Sequence, residues 1–124
     1  PLDIRPEHID ENGHVNNVIY VGWLQDAGMA HWNARFSAEE RARWSWVALR
    51  HEIDYLRGLL PDSTATARTW VGDPQGPRFS RYVRIEDGQG RLCAQGVSEW
   101  CLVEAATLRP TRIPATMLPA FERR

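Results

Sequence analysis

The longest stretch free of turn-forming clusters runs from Val18 to Phe36, and through Trp32 its apolar side chains occupy nearly every side of a helical projection. A helix that is apolar all round belongs in an interior rather than on a surface, and its length corresponds to about five turns. Asn16 and Asn17 stand ready as N-caps. Gly22, Ala27, Gly28 and Ala30 keep the helix thin, so a sheet can wrap it closely. Each glycine costs roughly 1 kcal/mol against alanine, which close packing would offset. Before this helix, Leu2 and Ile4 alternate with polar residues, which predicts a short strand over 2–9 leading into a loop. After it, Ser37 and Glu40 form a capping box that opens a short second helix through Trp44.

From Trp46 the period changes from helical to two. Strands are predicted over 46–57, 64–71, 78–86 and 91–103, separated by the turn-rich segments 58–63, 72–77 and 87–90. The connections are short, which predicts an antiparallel meander. The tail from Thr107 to Pro119 carries too many prolines for regular structure. The whole reads as one α+β domain over 1–124, a long central helix wrapped by a curved antiparallel sheet.

A chain of 124 residues is long enough to bury a core without covalent staples. Its net charge of -1 argues against a nucleic-acid partner, because neutralising phosphates requires a basic excess or stripe. All fifteen basic residues are arginine. Arginine can grip phosphate bidentately, and an all-arginine set also follows from codon bias in a GC-rich genome. No apolar run approaches the ~18 residues of a membrane span, no leader pattern opens the sequence, and Pro1 reads as a trimmed end. Cys93 and Cys101 fall in one predicted strand, about 26 Å apart, whereas a disulfide needs Cα atoms within ~7 Å. Free thiols are therefore expected, as in a reducing cytoplasm.

Chemistry concentrates where the long helix begins. Asp10, Asn12, His14, Asn16 and Asn17 lie within eight residues of one another. A helix N-terminus offers unpaired N–H groups and partial positive charge to a developing oxyanion, and Gly13 allows close approach to the backbone. Asp10 could serve as base or nucleophile, with His14 and the asparagines orienting water or polarising a carbonyl. Equally, Asp10, Asn16 and Asn17 could do no more than cap the helix and tighten its first turn.

The stretch Asp10-Glu-Asn-Gly-His-Val-Asn-Asn-Val-Ile-Tyr20 resembles the signature of hotdog-fold thioesterases, the group that holds 4-hydroxybenzoyl-CoA thioesterase and the acyl-ACP thioesterases. The acyl-ACP pattern is met at Asp10, Asn12, His14, Val15, Asn16, Asn17 and Tyr20, and Gly13 is similar to the 4-hydroxybenzoyl-CoA branch. Residues 49–57 resemble the first long hotdog strand and 107–114 the usual hotdog ending, so the similarity spans nearly the whole chain. The resemblance implies hydrolysis of an acyl-CoA or acyl-ACP to acid and thiol without a cofactor. It implies Asp10, His14, Asn16 and Glu52 as catalytic residues, and Gly13, Asn17 and Tyr20 as shaping the substrate site. One hotdog repeat implies a homodimer or homotetramer with active sites at the interface, whereas plant-type acyl-ACP thioesterases carry two repeats.

The remaining features divide between ordinary and functional readings. His8, His14, His31 and His51 match no zinc spacing, and no metal is expected. A serine hydrolase would need Gly-x-Ser-x-Gly, which does not occur. The six tryptophans suit a core, or the lining of an acyl or aryl tunnel. Arg78 and Arg84 share one face of their predicted strand and Arg81 the other; Arg78 or Arg81 is the candidate contact for coenzyme A phosphates. Two alternative functions use the same fold: a non-catalytic acyl-CoA-binding module, and an enoyl-thioester hydratase, which the Asp10–Tyr20 pattern fits poorly.

Overall fold

The computed structural model describes residues 1–122. Helix α1 spans Asn17–Arg35, and its cap is Asn16, whose extended backbone turns the side chain back to accept the Val18 N–H at 3.0 Å. It ends at Phe36, where Ser37 and Glu40 close the expected capping box with reciprocal bonds of 3.1 and 3.0 Å and start α2 (Ala38–Arg43). Strands β1 (Trp44–Tyr55), β2 (Ala65–Val71), β3 (Arg78–Asp87) and β4 (Leu92–Glu104) follow in the expected order. Strand β1 begins and ends two residues earlier than its pattern indicated.

The sheet order is β1-β4-β3-β2, all neighbours antiparallel. The expected meander therefore holds only for β2, β3 and β4, and β1 pairs with β4 at the far edge. The nine residues between β1 and β2 reach about 30 Å when extended, whereas three strand spacings are only about 14 Å. That connection is anchored midway by Leu59, which is fully buried and whose carbonyl accepts the Val15 N–H at 2.9 Å.

The curved sheet covers one side of α1. Tyr20, Trp23, Leu24, Gly28 and Trp32 form the buried stripe, and the opposite side stays open, with Val18 72% exposed and Met29 42%. A helix buried all round, as its composition suggests, is thus only half covered within one chain. The core divides into two clusters. One sits under the first half of α1 (Tyr20, Trp23 and Leu24 with Val83, Ile85 and Ala94), the other under its second half (Trp32 and Phe36 with Phe79, Trp100 and Leu102).

Two terminal expectations need correction. The predicted strand over 2–9 is reduced to a bridge from Leu2 to Ala65, a 3-10 turn at Pro6–His8 and a bridge from Ile9 to Val15. The tail is partly regular, with a 3-10 turn at Ala115–Met117 and a short helix α3 at Leu118–Glu122. Met117 and Phe121, one helical turn apart, both bury into the second cluster, and Pro119 lies in the first turn of α3, where its missing N–H costs nothing. Cys93 and Cys101 are buried free thiols, as expected. No described helix is long and apolar enough to cross a membrane.

Candidate active site

The segment before α1 is a small closed turn. The Asp10 N–H donates to the His14 carbonyl at 3.0 Å, and the Gly13 N–H donates to the Asp10 carbonyl at 3.0 Å. Gly13 has φ +76, a left-handed conformation that glycine adopts without strain. The Asp10 carboxylate accepts the Asn12 N–H through Oδ1 at 3.0 Å. Its Oδ2 has no hydrogen-bond partner among the described residues. One oxygen therefore fixes the carboxylate in an Asx turn.

His14 projects from this turn with its ring exposed and seated against the backbone of Gly58. A Cβ at Gly58 would lie only 2.6 Å from the ring's Cδ2, so Gly58 is where the imidazole rests. Asn16 is committed through Oδ1 to the cap, and its own N–H donates to the His8 carbonyl at 2.8 Å. Its side-chain NH2 is unengaged among the described residues. Asn17 opens the helix, and its carbonyl accepts the Tyr55 hydroxyl at 3.2 Å. Tyr20 is buried, edge-on to Trp23 and Tyr55 with ring centroids 5.3 and 5.4 Å apart. Burial, and next the neighbouring Cys93, push its hydroxyl up to about 12, so it remains protonated at neutral pH. Tyr20 packs this corner of the fold.

The helix-start amides near Gly13, expected to hold an oxyanion, differ in what they bond. Gly13 N–H is consumed by the turn, whereas the N–H groups of His14 and Asn17 have no protein acceptor among the described residues. The Asn17 amide lies in the first turn of α1, where the helix dipole favours negative charge.

Glu52 is not part of this cluster. A bulge between Ala48 and Arg50 reverses the alternation of β1. Trp44, Trp46 and Ala48 face α1 before it, and His51 and Ile53 face α1 after it. Glu52 is left exposed on the outer face, ion-paired with Arg50 at 3.1 Å. The inward residue is His51, with Nδ1 2.6 Å from Ser98 Oγ and Nε2 3.4 Å from Gln25 Nε2. Burial lowers its pKa. An unbroken period of two conceals His51, and a one-residue bulge carries no strong composition signal of its own.

The two candidate phosphate contacts separate as the alternation indicated. Arg78 is exposed on the outer face and pairs with Glu99 at 3.4 Å. Arg81 points inward and is 2% exposed, so it is removed from any phosphate at the surface. Its Nη1 donates to Thr69 Oγ1 at 2.9 Å and to His31 Nδ1 at 3.0 Å. Among the described residues no group of three His, Cys, Asp or Glu side chains is placed to hold a metal ion.

The description of the thioesterase-like superfamily matches residues 4–121. Comparison with curated protein sequences finds no match. Among solved structures, the chain is similar to a DHNA-CoA thioesterase from Staphylococcus aureus (TM-score 0.78, 19% identity, covering 90% of this chain and 76% of that one). A thioesterase from Thermus thermophilus complexed with coenzyme A and Zn superposes with TM-score 0.82 at 22% identity, covering 97% and 88%. The probable thioesterase YbaW from Escherichia coli gives 0.83 at 18%, covering 98% and 93%. At these identities the structures establish a shared hotdog fold.

Proposed function

The chain belongs to the thioesterase-like superfamily, and we propose that it hydrolyses acyl-coenzyme A thioesters with Asp10 as the base that activates water. The observation that carries this reading is the Asp10 carboxylate, held by the Asn12 amide through one oxygen, with the other oxygen unengaged beside His14 and the start of α1. Water attacks the thioester carbonyl and gives its proton to Asp10. The oxyanion is met by the Asn17 N–H, and the C–S bond breaks to release thiolate, a good leaving group that needs no cofactor. The His14 ring and the Asn16 NH2 position the water and the carbonyl. Glu52 is left out, because it lies on the opposite face of the sheet. Coenzyme A as the thiol, rather than a carrier protein, is supported by the Thermus thermophilus structure, which is complexed with coenzyme A.

The unit of function is a homodimer. Val18 and Met29 on α1, and Val47, Leu49 and Tyr55 on the edge strand β1, are each more than 40% exposed. Such a patch marks an association surface, and a second copy across it would complete the half-covered helix. Two buried free thiols suit a reducing compartment and support a cytoplasmic location for the reaction.

The test is thiol release from a panel of acyl- and aroyl-CoAs, with an acyl-carrier-protein ester beside them. Turnover of the CoA esters supports the reading. Preference for the carrier ester overturns the thiol assignment. Tight binding without thiol release identifies a sensor, and hydration of crotonyl-CoA identifies a hydratase.

A further inference from the structure

Arg81 is a buried cation with no counter-charge among the described residues. It lies midway along β3 on the concave face, opposite Ser98 of β4 and Val71 of β2, where the two core clusters meet. Its hydrogen bonds both leave from Nη1, to Thr69 and to His31, and it forms no ion pair among the described residues. His31 supplies no charge. Burial first, then Arg81 and Arg35, hold its pKa at about 4, so the ring is neutral and Nδ1 accepts. The Nε–H and both Nη2–H groups of Arg81 have no hydrogen-bond partner among the described residues. That edge of a guanidinium is the fork that receives a carboxylate bidentately.

Two more donors in the same place are unmatched. The indole N–H groups of Trp46 and Trp100 are buried without a partner. Both rings line, with Arg81, Gly28 and Met29, a cavity of about 10 Å³. Gly28 keeps it open: a Cβ there would sit 3.2 Å from Arg81 Nε and 3.4 Å from Trp100 Cζ2. Arg81 Nε and the Trp100 ring thus both border the space that Gly28 leaves open. Buried donors are ordinarily matched, and a buried charge without compensation is costly. Here two buried indole N–H groups have no partner among the described residues, and the Arg81 guanidinium lines the same cavity. Met29, exposed and unbranched, stands at the rim and can swing aside.

We propose that this cavity binds a carboxylate, and that the carboxylate is the far end of the acyl group, so that the substrate is the monothioester of a dicarboxylic acid. This deepens the thioesterase reading and rests on it for the identity of the ligand. Gly28 lies twelve residues beyond Asn16, about 18 Å along α1, so the acyl group is a long one. Its thioester sits at the start of the helix and its second carboxylate sits under the middle.

Binding and turnover test the two layers separately. Dodecanedioate and its dimethyl ester are titrated against tryptophan fluorescence in wild type, Arg81→Met and Trp100→Phe. Wild type is expected to prefer the diacid by about ten- to a hundred-fold, the worth of a hydrogen-bonded charge. Arg81→Met is expected to lose that preference, and Trp100→Phe to lose part of it. Arg81→Met exchanges a buried charge for an apolar chain, a change proteins commonly tolerate; should it misfold, Trp100→Phe alone decides. Equal affinity for acid and ester in wild type, or a preference that survives both substitutions, would mean that a water only occupies the cavity and would overturn the proposal. In turnover, dodecanedioyl-CoA is expected to exceed dodecanoyl-CoA in kcat/KM, and Arg81→Met to reverse the order. Diacid preference in binding with no hydrolysis of either ester retains the site and removes the thioesterase reading. Equal hydrolysis with no binding preference does the opposite.

Discussion

Adding one methyl group at Gly58 should slow the enzyme without unfolding it. A Cβ there would stand 2.6 Å from His14 Cδ2, 3.0 Å from Cγ and 3.1 Å from Nε2. Carbon atoms rest at about 3.5–4.0 Å, so the imidazole must retreat by roughly 1 Å. Gly58 does not occupy the left-handed region, so alanine fits its backbone, and the displaced ring is exposed and free to turn. The stability change in Gly58→Ala should therefore stay within about 0.5 kcal/mol, and restriction of the unfolded chain works in its favour. Activity is another matter, because a misplacement of about 1 Å in a positioned group can cost about 10²-fold. The assay is kcat/KM on the best CoA ester, with a melting curve for each variant. His14→Ala completes a double-mutant cycle: if Gly58→Ala acts through the ring, it should have no further effect once the ring is gone. Full activity in Gly58→Ala alongside an impaired His14→Ala would refute the reasoning, since the ring would then act from some other position.

Other expectations follow from the same geometry. Gly96 of β4 faces α1, and its Cβ would meet Leu24 Cδ2 at 2.6 Å and the Glu52 carbonyl at 3.2 Å. Leu24 is fully buried and cannot yield, so Gly96→Ala should lose about 1–3 kcal/mol in denaturant unfolding, and an unchanged midpoint would contradict the packing described. Burial holds the folded pKa of His31 at about 4, below its ordinary 6.5. Protonation therefore favours the unfolded chain: the contribution is fully present above pH ~6.5 and is lost as pH falls toward ~4. The loss is on the order of 2 kcal/mol after allowing for the screening of a half-buried ring. Stability curves at several pH values should show it in wild type and show less of it in His31→Gln. Asn16→Asp keeps the oxygen that caps α1 and removes the NH2 assigned to the substrate. It should hold the melting temperature yet turn over more slowly, whereas Asn16→Ala should also cost about 1 kcal/mol. Undiminished turnover in Asn16→Asp would reduce Asn16 to a cap.

Local structure was legible in the sequence wherever one side chain and its near neighbours decide it. The Ser37–Glu40 box, the Asn16 cap and the Asp10–Asn17 turn are of this kind, because each is closed by hydrogen bonds within four residues. The opposite facing of Arg78 and Arg81 was legible too, since β3 runs without a bulge through that stretch. What was hidden depends on distant parts of the chain. The position of β1 beside β4 is set by a crossover that buries Leu59. The single extra residue near Leu49 puts His51 on the inner face and Glu52 on the outer one. The surroundings of Arg81 draw on α1, β2 and β4 at once, and no linear pattern records such a meeting.

The central claim is that the free oxygen of the Asp10 carboxylate activates water. Asp10→Asn keeps an oxygen to accept the Asn12 amide, and so keeps the turn, while it removes the base. The decisive measurement is kcat/KM for thiol release by wild type and Asp10→Asn, with matched melting curves. A folded variant slowed by about 10²–10⁴-fold is the predicted result. A folded variant within a few-fold of wild type would contradict it, leaving Asp10 as a turn residue and the base elsewhere.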